Sequence, residues 1–220
     1  MKAKTSDGDA ASIRNLILAK RKSLLPTHLL SLSDQTCRRF LAAWPLEVSW
    51  KGMRVGLYRA LPGELDVRLL EQVLAEKGAI LHYPRISDRA VSRMEMVEVL
   101  HPGQGPAGWN KGPYGIEEPP LHLKAVEAEM LDLLLVPGLA YGLKGERIGM
   151  GAGYYDRYLV HTHTALRLGL AFDFQLFESL EQKPWDQPLH WVMTEGRDAR
   201  TPYIEEWLTS ARARRFQENE

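Results

Sequence analysis

The sequence is poor in cysteine and in long apolar runs. Its 220 residues include one cysteine, Cys37, so neither an intramolecular disulfide nor a Cys-x-x-Cys zinc pair is available to it. No run of 18 apolar residues occurs, and the densest apolar stretch, residues 131–136, has the length of a strand. The first ten residues are polar and lack the apolar segment of a signal peptide. We therefore expect a cytoplasmic protein with no membrane partner.

Net charge is also missing. The 28 lysines and arginines balance 28 aspartates and glutamates, which argues against a nucleic-acid partner held by bulk positive charge. Hydrophobic residues make up 45% and charged residues 25% of the chain, proportions that exclude wholesale disorder. The length is that of one ordinary domain. We expect a flexible leader at 1–10, a single domain at 11–200, a charged tail at 201–220, and a monomer.

The first part of the chain has the periodicity of two helices. Apolar residues recur at helical spacing from Ser12, and Pro26 is expected to end that helix. The Ser33-Asp34 pair is a candidate N-cap for a second helix that ends at Pro45.

Strand-like segments follow. Residues 53–58 resemble a strand, residues 64–77 a helix closed by Gly78, and residues 79–83 a strand ended by Pro84. Strand, helix and strand at this spacing predict a parallel pair. Further strands are expected at 94–99, 131–136, 166–172 and 191–194, and a helix at 154–163. The pattern predicts a single α/β domain with a mostly parallel sheet and helices on both faces, a Rossmann-like three-layer arrangement.

A glycine-rich segment after the most apolar strand is the best candidate for a functional site. Gly149, Gly151 and Gly153 alternate just before a predicted helix, where backbone N–H groups can approach a phosphate closely. Arg147 lies close by, and Asp156 could hold a magnesium ion. The spacing matches neither the P-loop nor the dinucleotide fingerprint. From the residues alone, the glycine-rich segment could equally be a tight connection that binds no phosphate. Asp156 could equally be an ordinary acidic residue in the first turn of a helix, where it interacts favourably with the helix dipole.

The same segment, residues 136–157, resembles the signature of the 5-formyltetrahydrofolate cyclo-ligase family, also called 5,10-methenyltetrahydrofolate synthetases. The residues that match in order and spacing are Asp132, Pro137, Gly138, Tyr141, Gly145, Arg147, Gly149, Gly151, Gly153, Tyr154, Tyr155 and Asp156. The resemblance extends to Arg14, to residues 58–66, 84–85, 109–110 and 114–119, and to residues 168–172 and 186–195.

The resemblance implies an ATP- and Mg²⁺-dependent ligase. In this reaction the formyl oxygen of 5-formyltetrahydrofolate attacks the γ-phosphorus of ATP, N10 traps the phosphorylated intermediate, and 5,10-methenyltetrahydrofolate, ADP and phosphate result. The protein must align the two substrates and neutralise the charge that develops on the transferring group.

The resemblance also implies a set of site residues. The catalytic residues would be Arg147, Tyr154 and Asp156. The ATP-binding residues would be Arg14, Arg147, Ile148, Gly149, Met150, Gly151, Ala152, Gly153, Tyr154 and Tyr155. The folate-binding residues would be Tyr58, Arg59, Glu64, Trp109, Met150, Gly151, Ala152, Gly153 and Tyr154. The metal ligands would be Asp156 and Asp186.

Four residues depart from the family pattern. Ala10 stands where a lysine is common, Met150 and Ala152 stand where the loop often carries a basic residue, and His190 replaces an aspartate. These changes predict either that other cations, such as Lys20, Lys111 or Lys144, face the phosphates, or that activity is altered. Two alternatives therefore stay open: a folate-binding or storage protein without activity, and an ATP-using enzyme with another small substrate.

Overall fold

The computed structural model describes residues 9–99, 109–112 and 114–218. The predicted leader therefore lies outside the described residues except for its last two positions, 9 and 10. The helices are α1 (Ala10–Ser23), α2 (Pro26–Ala43), α3 (Arg68–Glu76), α4 (Tyr154–Leu159) and α5 (Tyr203–Glu218). The strands are β1 (Arg54–Gly56), β2 (Ile80–Asp88), β3 (Arg93–Glu98), β4 (Asn110–Lys111), β5 (Glu117–Glu118), β6 (Ala125–Val126), β7 (Leu133–Leu135), β8 (Ala140–Gly142), β9 (Arg147–Ile148), β10 (Leu166–Leu170), β11 (Leu176–Phe177), β12 (Trp191–Met193) and β13 (Asp198–Arg200).

Eight strands form the main sheet, in the order β13-β12-β10-β7-β1-β2-β3-β6. The five central strands from β12 to β2 are parallel. Antiparallel strands flank them, β13 at one edge and β3 with β6 at the other. The predicted parallel pairing of β1 with β2 is confirmed.

Apolar packing covers both faces of this sheet. Phe40 of α2, Leu74 of α3 and Trp207 of α5 belong to the apolar cluster on one face, and Leu159 of α4 belongs to the cluster on the other. Strand β7 lies between them with every residue fully buried, as its continuous apolar sequence predicts. The predicted α/β class with helices on both faces is confirmed.

A small second sheet lies beside the main one. Its order is β11-β8-β9, and helix α1 packs on it because Ile17 contacts an apolar cluster that includes Leu139, Ala140 and Ile148. This arrangement brings α1 and the end of β9 to the same side of the molecule.

The order of the strands also determines where a crevice forms at the edge of the main sheet. Strand β1 pairs with β2 on one side and with β7 on the other, so the chain leaves the carboxyl ends of β1 and β7 beside each other. In open α/β sheets ligands bind where strand order reverses in this way. Residues 57–64 follow β1, and residues 136–138 follow β7.

Two predicted boundaries were wrong. Helix α2 begins at Pro26, which suits the first helical turn because that position needs no N–H donor, and Ser33 lies within the helix, where its hydroxyl donates to the Leu29 carbonyl at 2.8 Å. Strand β2 continues past Pro84, because β1 pairs with it only as far as His82 and the missing N–H of proline leaves no β1 partner unsatisfied.

Two helices also differ in extent from the sequence prediction. Helix α3 begins at Arg68, four residues after the predicted start, and α4 ends at Leu159. The segment predicted as a charged tail contains α5, whose first part is packed because Ile204, Trp207 and Leu208 recur at helical spacing and are buried. Within the described residues no helix has both the length and the apolar content needed to cross a membrane.

Candidate active site

Two clefts meet at the glycine-rich loop of residues 149–153. The larger cleft has a volume of about 1140 Å³ and the smaller about 330 Å³. The residues that line both are Met94, Arg147, Gly149, Gly151, Gly153 and Asp156. The loop is therefore a shared wall, and a group in one cleft lies next to a group in the other.

The backbone of this loop is free to bind a ligand. No described residue accepts a hydrogen bond from the N–H groups of Met150, Gly151, Ala152 or Gly153. Gly151 has a φ of +99° and Gly153 a φ of +75°, a backbone region that side chains with a Cβ rarely adopt. Such unpaired N–H groups suit an anion such as phosphate.

Arg14 of α1 holds one end of the loop. Its Nε donates to the Gly149 carbonyl at 2.9 Å, and its guanidinium carbon is 4.0 Å from the position that a Cβ on Gly151 would take. Arg14 and Ile148 line the larger cleft, whereas Met150 and Ala152 line the smaller one.

Arg147 and Asp156 form an ion pair at the border of the two clefts. Arg147 is at the start of β9, its side chain is only 5% exposed, and its Nη1 donates to the Pro137 carbonyl at 3.2 Å. Asp156 lies in the first turn of α4. A buried guanidinium at this position can stabilise negative charge on a group that passes between the clefts.

The larger cleft contains the residues predicted to bind a metal. Asp156 and Asp186 both line it, and Asp186 accepts the Lys183 N–H at 2.8 Å. The described residues contain no group of three or more metal-ligating side chains. Carboxylates are the type of protein ligand that a magnesium ion takes when its other ligands are phosphate oxygens and water, so Asp156 and Asp186 fit such an ion in their chemistry.

Glu64 forms the deep polar end of the smaller cleft. Its carboxylate accepts the Leu61 N–H at 3.0 Å and lies 3.6 Å from the Arg21 guanidinium. Burial raises the pKa of this carboxyl above its ordinary value, while the Leu61 N–H and Arg21 act in the opposite direction. A buried carboxylate of this kind can accept hydrogen bonds from the N–H edge of a flat heterocycle.

Tyr58 and Arg59 also line the smaller cleft. The Tyr58 hydroxyl donates to the Leu65 carbonyl at 2.9 Å, which leaves its ring as the surface offered to a ligand. Trp109 is not among the residues that line the cleft. It packs instead on the Arg59 guanidinium, whose carbon lies 4.4 Å from the Trp109 ring centre.

Aromatic side chains surround the rest of the smaller cleft. Tyr154 packs edge-on against Tyr114, with ring centroids 6.1 Å apart. The Tyr155 hydroxyl is buried and has no hydrogen-bond partner among the described residues, and burial raises the pKa of this group. A mostly apolar cleft with aromatic walls and a nearly buried carboxylate, Glu64, is typical of a site for a flat aromatic ligand.

Sequence reasoning did not single out three residues of the site. Arg21 contacts Glu64, and Lys183 and Trp185 line the larger cleft. A signal for Arg21 was present, because it follows Arg14 by two helical turns and therefore shares its helix face. No comparable pattern marks Lys183 or Trp185.

The residues that depart from the family pattern do not all line the two clefts. Ala10 lines the larger cleft, and Lys183 is a cation there, whereas Lys20, Lys111 and Lys144 line neither cleft. His190 also lines neither cleft. Its Nδ1 accepts the Arg167 N–H at 3.2 Å, so this residue supports the end of the main sheet.

Comparison with known proteins gives a consistent result. A model of the 5-formyltetrahydrofolate cyclo-ligase family matches residues 6–195. The 5-formyltetrahydrofolate cyclo-ligase of Mycolicibacterium smegmatis is 37% identical over 197 residues, which cover 85% of this chain and 94% of that protein. The enzyme of the same name from Escherichia coli is 29% identical over 185 residues, covering 83% and 98%.

The fold is also similar to solved structures. The NMR structure of Aquifex aeolicus 5,10-methenyltetrahydrofolate synthetase has a TM-score of 0.74 and 30% identity, covering 88% of this chain and 93% of that one. With the match of the family model over most of its length, the chain belongs to the 5-formyltetrahydrofolate cyclo-ligase family.

Proposed function

We propose that the protein converts 5-formyltetrahydrofolate to 5,10-methenyltetrahydrofolate at the expense of ATP, with Mg²⁺ as cofactor. The observation that supports this most directly is the pair of clefts with one shared wall. The larger, charged cleft suits a nucleoside triphosphate, and the smaller, aromatic cleft suits a pterin. Family membership is independent support for the same reaction.

The triphosphate would lie in the larger cleft, along the glycine-rich loop. Its phosphate oxygens would accept hydrogen bonds from the unpaired N–H groups of residues 150–153, while Arg14 fixes the loop and Lys183 adds positive charge. Asp156 and Asp186 would hold the magnesium ion, which neutralises phosphate charge when bound. Tyr154 and Tyr155 would close the loop at its α4 end. Trp185, which is 62% exposed beside Asp186, offers a flat apolar surface to the base.

The pterin would lie in the smaller cleft. Glu64 would accept hydrogen bonds from its N–H edge, and the rings of Tyr58, Tyr114 and Tyr154 would form the walls. The formyl oxygen would then point toward the border of the clefts, where Arg147 stands. The role of Trp109 would be indirect, since it covers Arg59 rather than the cleft.

The chemistry proceeds in two steps at that border. The formyl oxygen attacks the γ-phosphorus, the bond from that phosphorus to the bridging oxygen breaks, and ADP leaves with the electron pair. N10 then attacks the activated carbon, the C–O bond breaks, phosphate leaves, and N10 loses its proton. Arg147 stabilises negative charge on the transferring phosphoryl group, and the adjoining clefts align the two substrates.

A direct assay tests this proposal. The protein is mixed with ATP, Mg²⁺ and 5-formyltetrahydrofolate, and the near-ultraviolet band of the methenyl product is followed together with ADP release. We expect both to appear in equal amounts and to require all three additions. The absence of both products at saturating substrate concentrations would contradict the proposal.

Calorimetry distinguishes the alternatives. Tight binding of 5-formyltetrahydrofolate without any binding of ATP would indicate a storage protein, and ATP binding without folate binding would indicate another substrate.

We further propose that the protein acts in the cytoplasm as a monomer with these small molecules as its partners. Sedimentation with and without substrates measures the oligomeric state.

A further inference from the structure

Helix α1 lines the larger cleft and also contacts a residue of the smaller one. Arg14 contacts the glycine-rich loop at the larger cleft, and Arg21, seven residues later, contacts Glu64 at the smaller one. Seven residues are two helical turns, or about 10 Å along the axis. One helix face therefore carries one guanidinium to the larger cleft and a second to Glu64, which lines the smaller cleft.

The surroundings of Arg21 hold it in one position. Its side chain is 7% exposed, its Nη2 donates to the Gly138 carbonyl at 2.9 Å, and its Nη1 lies 3.6 Å from the Glu64 carboxylate. Gly63 packs against it, since a Cβ there would lie 3.4 Å from the Arg21 Cβ. Arg21 thus joins the segment after β1 to the segment after β7, the two sides of the crevice.

Glu64 depends on Arg21 for a positive partner. Among the described residues, Arg21 is the one cation in an ion pair with this carboxylate. The other titratable groups that face it are the hydroxyls of Tyr58, Tyr141 and Tyr155, and burial raises the pKa of each, so they stay uncharged near neutral pH. Without Arg21, a nearly buried carboxylate would face only neutral groups, and its protonated form would be favoured.

We propose that Arg21 is a positioning residue for folate recognition, which keeps Glu64 ionised and aimed into the smaller cleft. The inference rests on the proposed function, because it takes the N–H edge of a pterin as the partner of Glu64. Adjacent N–H donors of that edge need a group that only accepts hydrogen bonds, and a carboxylate meets this need whereas a carboxylic acid does not.

The test is the pH dependence of folate binding in an Arg21→Met variant. Calorimetry with 5-formyltetrahydrofolate, in the absence of ATP, gives the affinity at pH 6.5 and at pH 8.5. We expect the variant to bind about tenfold more weakly than the parent at pH 6.5 and to recover as the pH rises, because the higher pH ionises Glu64. The affinity of the variant for ADP is expected to stay within about twofold of that of the parent protein. The control variant Lys22→Met changes an exposed residue of the same helix and is expected to alter neither the folate affinity nor the ADP affinity.

Three further variants separate this role from simple stabilisation of the fold. Arg21→Lys keeps the charge, so its folate affinity is expected to be independent of pH. Glu64→Gln is expected to bind weakly at both pH values. The double variant with Arg21→Met and Glu64→Gln removes both charges, is expected to fold even if Arg21→Met alone does not, and is expected to bind folate no more weakly than Glu64→Gln.

The inference would be overturned by an equal loss of folate and ADP binding, by a loss in Arg21→Met that does not change with pH, or by additive losses in the double variant. Failure of the unaltered protein to bind 5-formyltetrahydrofolate at either pH would overturn the proposed function itself. The two failures are distinguishable, since only the second is seen without any substitution.

Discussion

Arg147 is fixed at the border of the clefts by a backbone carbonyl as well as by Asp156. A lysine cannot make both contacts from one planar group. We expect Arg147→Ala to lower turnover on the order of 10²-fold or more, because it removes charge stabilisation from the transferring phosphoryl group. Arg147→Lys is expected to recover only part of this loss. Steady-state rates of methenyl product formation measure both.

Arg38→Ala is a suitable control for that experiment. Arg38 is an exposed arginine that pairs with Asp34 on the surface of α2, so its removal should leave turnover unchanged. Unaltered turnover in Arg147→Ala would refute the role assigned to this residue.

Residues close in sequence were the easiest part of the site to predict. The glycine-rich motif placed Arg147 and Asp156 in one candidate site, and in the structure they form an ion pair because strand β9 and helix α4 hold them at the ends of one short loop. Arg21 and Lys183 were missed because their positions depend on contacts with Glu64 and Asp186, which lie far from them or in irregular segments. Residue type alone does not reveal such contacts.

The hairpin formed by β8 and β9 depends on a close approach at its turn. Gly145 has a φ of +89°, and a Cβ there would lie 2.1 Å from the Leu189 carbonyl oxygen. We expect Gly145→Ala to destabilise the protein by about 3 kcal/mol or more, since both backbone strain and steric overlap result. Urea denaturation measures the change in the free energy of unfolding.

Gly52→Ala is the matched comparison. Gly52 has a φ of +76° but no atom within 4 Å of the added Cβ, so it carries the backbone strain alone, about 1–2 kcal/mol. Equal destabilisation by the two substitutions would show that the contact with Leu189 does not constrain the hairpin.

Elements were predicted better than their ends. The parallel sheet follows from the apolar run of β7 and from the strand–helix–strand spacing around α3, both of which are local patterns. The start of α2 and the length of β2 were wrong because each proline was taken as a stop. Pro26 is accommodated by a helix start, and Pro84 by a strand position that lies beyond the end of the pairing with β1, which only the assembled fold reveals.

Over the whole molecule, acid sensitivity is expected from His190. Burial lowers the pKa of His190 to about 4, and Arg167 adds to the effect. Between pH 6.5 and 4 the imidazole of His190 binds a proton in the unfolded chain but not in the folded protein. The contribution of neutral His190 to the free energy of unfolding is therefore fully present above pH 6.5 and is lost as the pH decreases. We expect this group to contribute about 1–2 kcal/mol to the loss.

Urea denaturation at pH 7 and pH 5 measures this contribution when the protein is compared with His190→Asn. The asparagine oxygen can accept the Arg167 N–H but does not titrate, so the variant should lose less stability on acidification. An identical loss in both proteins would assign the acid sensitivity to other groups.

The shared wall between the two clefts has a consequence for inhibitor design. Because one loop contacts both compartments, a single compound that links a pterin to a polyphosphate would be held by both halves of the site at once. Its second half would bind as an intramolecular event, at a high effective concentration, provided that the linker crosses beside Arg147. Because the two clefts share that loop, a short, rigid linker is the best choice.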